Sequence, residues 1–306
     1  MNDRPAARGF GEREIALALL FLVPGMFATN IVVARAVEGH VPPVALAFWR
    51  WAGVFVLLAP VTLGPLWRAR TQALREWRDL LVLGTLGMGI CGAFVYIGAR
   101  TTTATNIGLI YAAAPVLIVV LAARLGGERL GRRQLAGTML SLVGVLVLVL
   151  RGDPDVLLHL AFVPGDLWVA VAAASWGLYS VLLRYRPTAL APPVRLAAIT
   201  LAGLAVLAPF HLGEALSGDV PHLDAATIGA VVLVAVVPGW GAYTGYARIQ
   251  RALGVGLTSL VLYLSPLWAT ALAWLLLDEH LAAYHVAGAV LVLVGVFMAT
   301  RYRTNS

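Results

Sequence analysis

Trp176 and Tyr179 stand three residues apart, as do Trp240 and Tyr243, and each pair falls near the middle of a long apolar stretch. Residues spaced i,i+3 share a helix face, so each stretch is expected to present an indole beside a phenol. Such rings stack on an aromatic or aliphatic group, while their N–H and O–H groups meet a polar one. Tyr111, Tyr263, Asn30, Ser175 and Ser265 add phenol, amide and hydroxyl groups at comparable depth. Trp67, Trp77 and Trp168 lie at stretch ends and read as an interfacial aromatic belt; Trp176 and Trp240 sit too deep for that. The chemistry on offer is recognition of a small amphipathic molecule.

Bond-making chemistry lacks its parts. The 15 carboxylates fall in loops or at the ends of apolar stretches, so no central Asp or Glu relay is expected. HExxH, a Walker A loop and a Ser/His pair at depth are all missing, so no catalytic residue, metal ligand or cofactor is expected. Cys91 is the single cysteine and forms no intrachain disulfide. Arg50 is the one full charge inside an apolar stretch and reads first as an anchor that snorkels or bonds a backbone carbonyl; substrate contact is the lesser reading.

Pro24, Pro115, Pro238 and Pro266 interrupt four stretches near their centres. Pro115 and Pro266 free the carbonyls of Tyr111 and Leu262, and the four are candidate hinges or gates as well as ordinary kinks. Gly84, Gly87, Gly89 and Gly92, and the pair Gly241 and Gly245, allow helices to approach closely.

The elements that must position these residues are membrane helices. Sixty per cent hydrophobic residues and 12% charged ones exclude a soluble domain, and the mean hydropathy is +0.87. Apolar stretches recur ten times, at about 15–36, 44–64, 79–99, 104–124, 134–150, 166–184, 193–213, 226–248, 256–277 and 282–300. Placing the N-terminus in the cytoplasm puts 18 of the 22 arginines inside, as positive-inside topology requires. The net charge of +7 then reflects topology and anionic lipid rather than nucleic acid. Polar residues concentrate in stretches 1, 3, 4, 6, 8 and 9, which are expected to line a central cavity, with 2, 5, 7 and 10 outside.

The chain also repeats itself. Residues 115–148 match 266–299 without a gap at an offset of 151, with thirteen of 34 positions identical, including Pro115/Pro266, Glu128/Glu279, Gly137/Gly288 and Gly144/Gly295. Upstream, Asn30 falls on Ser180 and Gly53 on Gly203 at an offset of 150. A tail of about 1–14 thus precedes two copies, about 15–150 and 166–300. Five stretches per copy make the second copy enter the membrane from the opposite side, an inverted repeat of the kind found in carriers. Gly137, Gly144 and their counterparts read as packing positions.

The five-plus-five repeat and the turn Gly127-Glu128-Arg129-Leu130, echoed as Asp278-Glu279-His280-Leu281, resemble the two-copy EamA-type branch of the drug/metabolite transporter superfamily. The second copy departs from the pattern, with Asp-Glu-His in place of Gly-Glu-Arg and Ala174 opposite Pro24. The resemblance implies an all-α protein of ten transmembrane helices in a bacterial inner membrane, both termini cytoplasmic. It implies export of small molecules by alternating access, in detail of aromatic or other apolar amino acids and related metabolites. The partners expected are that solute and membrane lipid, with no nucleic acid and no obligate protein partner. The other readings are a carrier of other metabolites or drugs, a membrane enzyme acting on a lipid-linked substrate, and a non-transporting assembly subunit.

Overall fold

The computed structural model describes residues 11–37, 39–128, 130–222, 224–277 and 280–301. Arg4, Arg8, Arg129, Asp278, Glu279 and Arg303, used above for charge placement and the turn motif, lie outside the described residues.

Among the described residues, ten helical segments are long and apolar enough to cross a membrane. They are α1 (Glu12–Ala36), α2 (Pro43–Arg68), α3 (Trp77–Ala99), α4 (Ala104–Gly126), α5 (Arg132–Val149), α6 (Pro164–Tyr185), α7 (Pro192–Leu216), α8 (Ala225–Leu253), α9 (Leu260–Leu277, after a first turn Val255–Thr258) and α10 (Ala283–Thr300). Helix is the form that pairs every backbone group within one apolar segment. Local signals set the ends. Pro43, Pro164 and Pro192 open α2, α6 and α7 where no amide bond is lost. Thr103 and Asp224 cap α4 and α8 by accepting from the Asn106 and Thr227 amides. Gly127 closes α4 with φ +67°, a conformation that glycine adopts without strain.

The two copies interleave. Helix α1 packs on α8 and α9, and its counterpart α6 packs on α3 and α4. The helices α2 and α7 pack on each other, and α5 with α10 forms the most extensive pair. At that last contact a Cβ on Gly144 would meet the Val292 amide at 2.7 Å, and one on Gly288 would meet the Gly144 carbonyl at 2.9 Å. Gly137 faces Gly295 in the same way, so the glycine pairs 137–295 and 144–288 are exchanged by the repeat. These glycines do serve packing. Arg13 donates to the Thr300 carbonyl at 3.1 Å, which sets the start of α1 beside the end of α10. Both ends of the described chain therefore lie on one face, here the terminal face.

Carboxylates tie helix ends across the copies. At the terminal face Glu128 accepts from the amides of Val255 (3.1 Å) and Gly256 (2.9 Å) and from the Tyr185 hydroxyl (2.7 Å). On the same face Glu76 accepts from the Ala189 amide and the Thr188 hydroxyl, just before α7. Burial works against ionisation of Glu76, but these bonds, with one from Gln72 and the charge of Arg195, hold its carboxyl below the usual range. At the opposite face Glu214, at the end of α7, accepts from the Val44 and Ala45 amides at the start of α2. Asp166 at the start of α6 accepts from Thr102 and Asn106 at the start of α4.

Two helices leave α geometry at matching places. Thr85–Ile90 in α3 and Ala235–Gly241 in α8 are π-helical turns whose first residues are 150 apart, the repeat offset. Such turns widen the helix and release carbonyls from their usual partners. Both lie deep in the bundle.

Candidate functional site

Side chains take up the released carbonyls. Ser175 donates to Leu86 at 2.8 Å and Tyr243 to Gly87 at 2.9 Å, both in the α3 turn. Arg50 Nη2 donates to Pro238 in the α8 turn at 3.1 Å. Arg50 is only 4% exposed. Its Nη1 donates to Asn30 Oδ1 at 3.2 Å and to the Tyr96 hydroxyl at 3.4 Å, and Tyr96 itself donates to Asn30 at 2.5 Å. The guanidinium also lies 4.8 Å from the centre of the Trp51 ring and 5.7 Å from that of Tyr243.

The repeat reappears in this network. Tyr246, 150 residues after Tyr96, donates to the Ser180 hydroxyl at 3.0 Å, and Ser180 is the counterpart of Asn30. One tyrosine bond stands toward each face, since α3 runs away from the terminal face and α8 runs back to it. The copies then differ. Arg50 corresponds to Thr200, whose hydroxyl is buried without a partner, and Gln250 instead bonds the Ser180 carbonyl.

Between the two tyrosine bonds lies a cluster of rings. Trp176 touches Phe27 (5.4 Å between centres), Tyr179 (5.5 Å), Tyr243 (5.4 Å) and Tyr246 (5.0 Å), while Trp51 meets Tyr243 edge-on at 4.7 Å. Edge-to-face pairs of this kind contribute about 0.5–1.5 kcal/mol each beyond burial. The rings fill the centre, giving an occluded arrangement. Trp176 Nε1, the Tyr263 hydroxyl and Arg50 Nε are buried with no hydrogen-bond partner among the described residues. A small cavity of about 60 Å³ enters from the opposite face and ends against Tyr96, Leu46, Val95 and Ile107.

An interleaved five-plus-five bundle around a polar, aromatic centre invites comparison with known carriers. Residues 14–150 and 163–301 each match the EamA-like transporter family. The chain belongs to that family. It is 28% identical to probable amino-acid metabolite efflux pumps of Salmonella typhimurium, where 92% of this chain and 93% of the relative align, and of Escherichia coli, with 94% of both. It is 25% identical to an uncharacterized transporter of Bacillus subtilis, YyaM, over 88% of each chain. One crystal structure superposes with a TM-score of 0.74 at 24% identity, covering 94% of this chain and 96% of the other, which supports the shared fold.

This EamA-like transporter brings several of the residues singled out from the sequence together and leaves others apart. Asn30, Ser175, Trp176, Tyr179 and Tyr243 meet in or beside the central cluster. Tyr263 is fully buried, and Tyr111 lies beside Cys91 near Arg50. Ser265 bonds the Val261 carbonyl within its own helix.

Trp240 is the clear departure. It is 44% exposed while Tyr243 is 5% exposed, so the two do not share a face. The cause is the π turn: Trp240 lies inside Ala235–Gly241, where the i,i+3 rule of an α-helix does not hold. The placement of helix 2 outside the lined centre also needs correction, because Arg50 and Trp51 on α2 are both buried in it. Arg50 does bond a backbone carbonyl, as expected of an anchor, but it does not snorkel. Trp51 and Phe27 were not singled out from the sequence, and Tyr96 and Tyr246 counted only among the polar residues of stretches 3 and 8. The offset of 150 relates Asn30/Tyr96 to Ser180/Tyr246 and could have revealed both bonds.

Among the hinge candidates, Pro24 and Pro115 are buried inside α1 and α4, Pro266 is half-buried in α9, and Pro238 stands within the α8 π turn. Beside Pro24, Trp268 of α9 donates to the Phe21 carbonyl at 2.7 Å, a bond across the copies at a proline-loosened turn.

Proposed function

We propose that this EamA-like transporter is an inner-membrane secondary carrier that exports apolar or aromatic amino acids and related small metabolites by alternating access, with its arginine-rich terminal face in the cytoplasm. The observation carrying this reading is the occluded centre, where rings are packed beside buried, unpartnered donors on Trp176, Tyr263 and Arg50. Rings suit an apolar side chain and the donors suit its polar end. The names of the Salmonella and Escherichia relatives point the same way.

In this reading Asn30, Tyr111, Ser175, Trp176, Tyr179, Tyr243, Tyr263 and Ser265 surround the solute, and Trp240 contributes only if its π turn rewinds. The tyrosine bonds Tyr96–Asn30 and Tyr246–Ser180 close the two sides in turn, and Pro24, Pro115, Pro238 and Pro266 let helices bend between states. The test is flux of radiolabelled phenylalanine, leucine and threonine in proteoliposomes holding the purified full-length chain. Saturable, trans-stimulated movement is expected. Absence of flux for every amino acid would sink the proposal. Trp176→Ala should slow phenylalanine more than threonine, because it removes a stacking ring; equal losses would show damaged packing instead.

A further inference from the structure

Arg50 is a buried cation whose hydrogen-bonding acceptors among the described residues are all neutral: Asn30, Tyr96 and the Pro238 carbonyl. Among the described residues the ion pairs are Arg186–Asp79 and Arg248–Glu12, neither of which involves it. A charge removed from water is costly unless paired, and neutral dipoles offset only part of that cost. Such a residue persists within a membrane bundle when function needs it.

The geometry shows where a counter-charge would go. Nε is buried and unpartnered, and it shares the side edge of the guanidinium with Nη2, which spends one bond on Pro238. Gly239 packs beside Nε: a Cβ there would stand 3.7 Å from it, as well as 2.6 Å from Val54 Cγ2 and 2.9 Å from the Val234 carbonyl. A carboxylate set side-on would bond Nε and Nη2 together, the strongest geometry arginine offers. The Trp51 and Tyr243 rings lie together on one side of the cation and would pack an apolar group attached to that carboxylate. The cavity from the opposite face ends at Tyr96, one side chain short of the guanidinium.

Resting on the amino-acid reading above, we propose that Arg50 binds the carboxylate of the transported solute. The solute class is then apolar or aromatic monocarboxylates, in which the carboxylate is required and the α-amino group is dispensable. The second half follows from charge: among the described residues no ion pair or hydrogen bond sets an Asp or Glu on Arg50, where it could receive an ammonium, whereas a net anion neutralises Arg50 completely.

The test measures binding to the full-length chain in lipid nanodiscs by thermal stabilisation. The probes are 3-phenylpropionate, phenylalanine, phenylalaninamide and 2-phenylethylamine, with leucine and leucinamide as an aliphatic pair. Each acid is expected to bind at least about tenfold more tightly than its amide or amine, the size of a charge-assisted bond, and 3-phenylpropionate to bind at least as well as phenylalanine. Arg50→Gln should remove the acid preference and Arg50→Lys should keep part of it. If Arg50→Gln does not remain monodisperse, the wild-type comparison of acid with amide decides alone. Amides or amines binding as tightly as acids, an acid preference surviving in Arg50→Gln, or no acid binding at all would each overturn the proposal. Flux of the same probes separates the two readings. Amides carried as fast as acids would leave transport standing without the arginine's role, and acids bound but never carried would leave the arginine's role without transport.

Discussion

Glu128→Gln should open the terminal face. The Glu128 carboxylate holds three donors at once: the Val255 and Gly256 amides ahead of α9 and the Tyr185 hydroxyl at the end of α6. It thereby joins the α4–α5 turn of one copy to two helices of the other. Glutamine keeps the shape but removes the charge, and its amide oxygen cannot satisfy both backbone amides. A charged acceptor is worth about 1 kcal/mol more per bond than a neutral one, but Glu128 is partly exposed, so solvent screens part of this. About 1–3 kcal/mol in favour of the open state remains, a shift of about 5–150-fold in the equilibrium. The reporter is Ser259→Cys in a Cys91→Ser background, since Ser259 is fully buried beside this turn. In nanodiscs, where both faces meet the solution, an impermeant thiol reagent should label it faster in Glu128→Gln by that factor. An unchanged labelling rate in a folded protein would refute the idea that this carboxylate holds the face shut.

The paired tyrosines give a two-sided test: Tyr96→Phe should raise access from the opposite face and Tyr246→Phe from the terminal face, each by a few-fold to about tenfold for one lost hydrogen bond. Cysteine labelling that moves in the same direction for both would contradict it. Gly144→Val should cost about 1–3 kcal/mol of stability through overpacking and lower the melting temperature, because its Cβ would press on the Val292 backbone. Glu76 supplies the pH dependence. Its carboxyl ionises below the usual range in the folded chain, so its contribution is complete above the unfolded value of about 4.3 and fades as pH falls through the lower folded value. Glu76→Gln should therefore flatten the decline of melting temperature between about pH 5 and about pH 3, and an unaltered acid limb would count against it.

Helix number, the inverted repeat and the polar centre were legible because they depend on hydropathy and on side chains that cannot face lipid. Trp176 and Tyr179 follow the plain α-helical spacing and lie where that spacing puts them. The same rule failed at Trp240, since a π turn shifts every residue after it by about one position and nothing in a hydropathy pattern marks it. The glycines around Gly87 and the pair Gly241 and Gly245 were visible, but they read as sites of close approach, which they also are, and Pro238 read as a hinge or kink. Arg50 was legible in part: it bonds a backbone carbonyl, as an anchor does, but from a buried position. Its depth along α2 is compatible with snorkelling, and only the rotation of that helix, set by its packing on α7 and α8, turns the residue inward.

On the proposed reading of alternating access with the terminal face in the cytoplasm, the unequal halves carry a kinetic consequence. The terminal-side tyrosine bond, Tyr246–Ser180, lacks the cation that reinforces Tyr96–Asn30, because Thr200 stands where the first copy has Arg50. Two conformers closed by different sets of bonds differ in free energy, so an empty carrier rests mostly in one of them. Half-saturation then differs between the two sides of the membrane. Microscopic reversibility nevertheless holds the ratio of maximal rate to half-saturation equal in both directions for an uncoupled solute. The asymmetry can therefore tune at what cytoplasmic concentration the carrier responds, but any accumulation against a gradient must draw on a second, coupled flux.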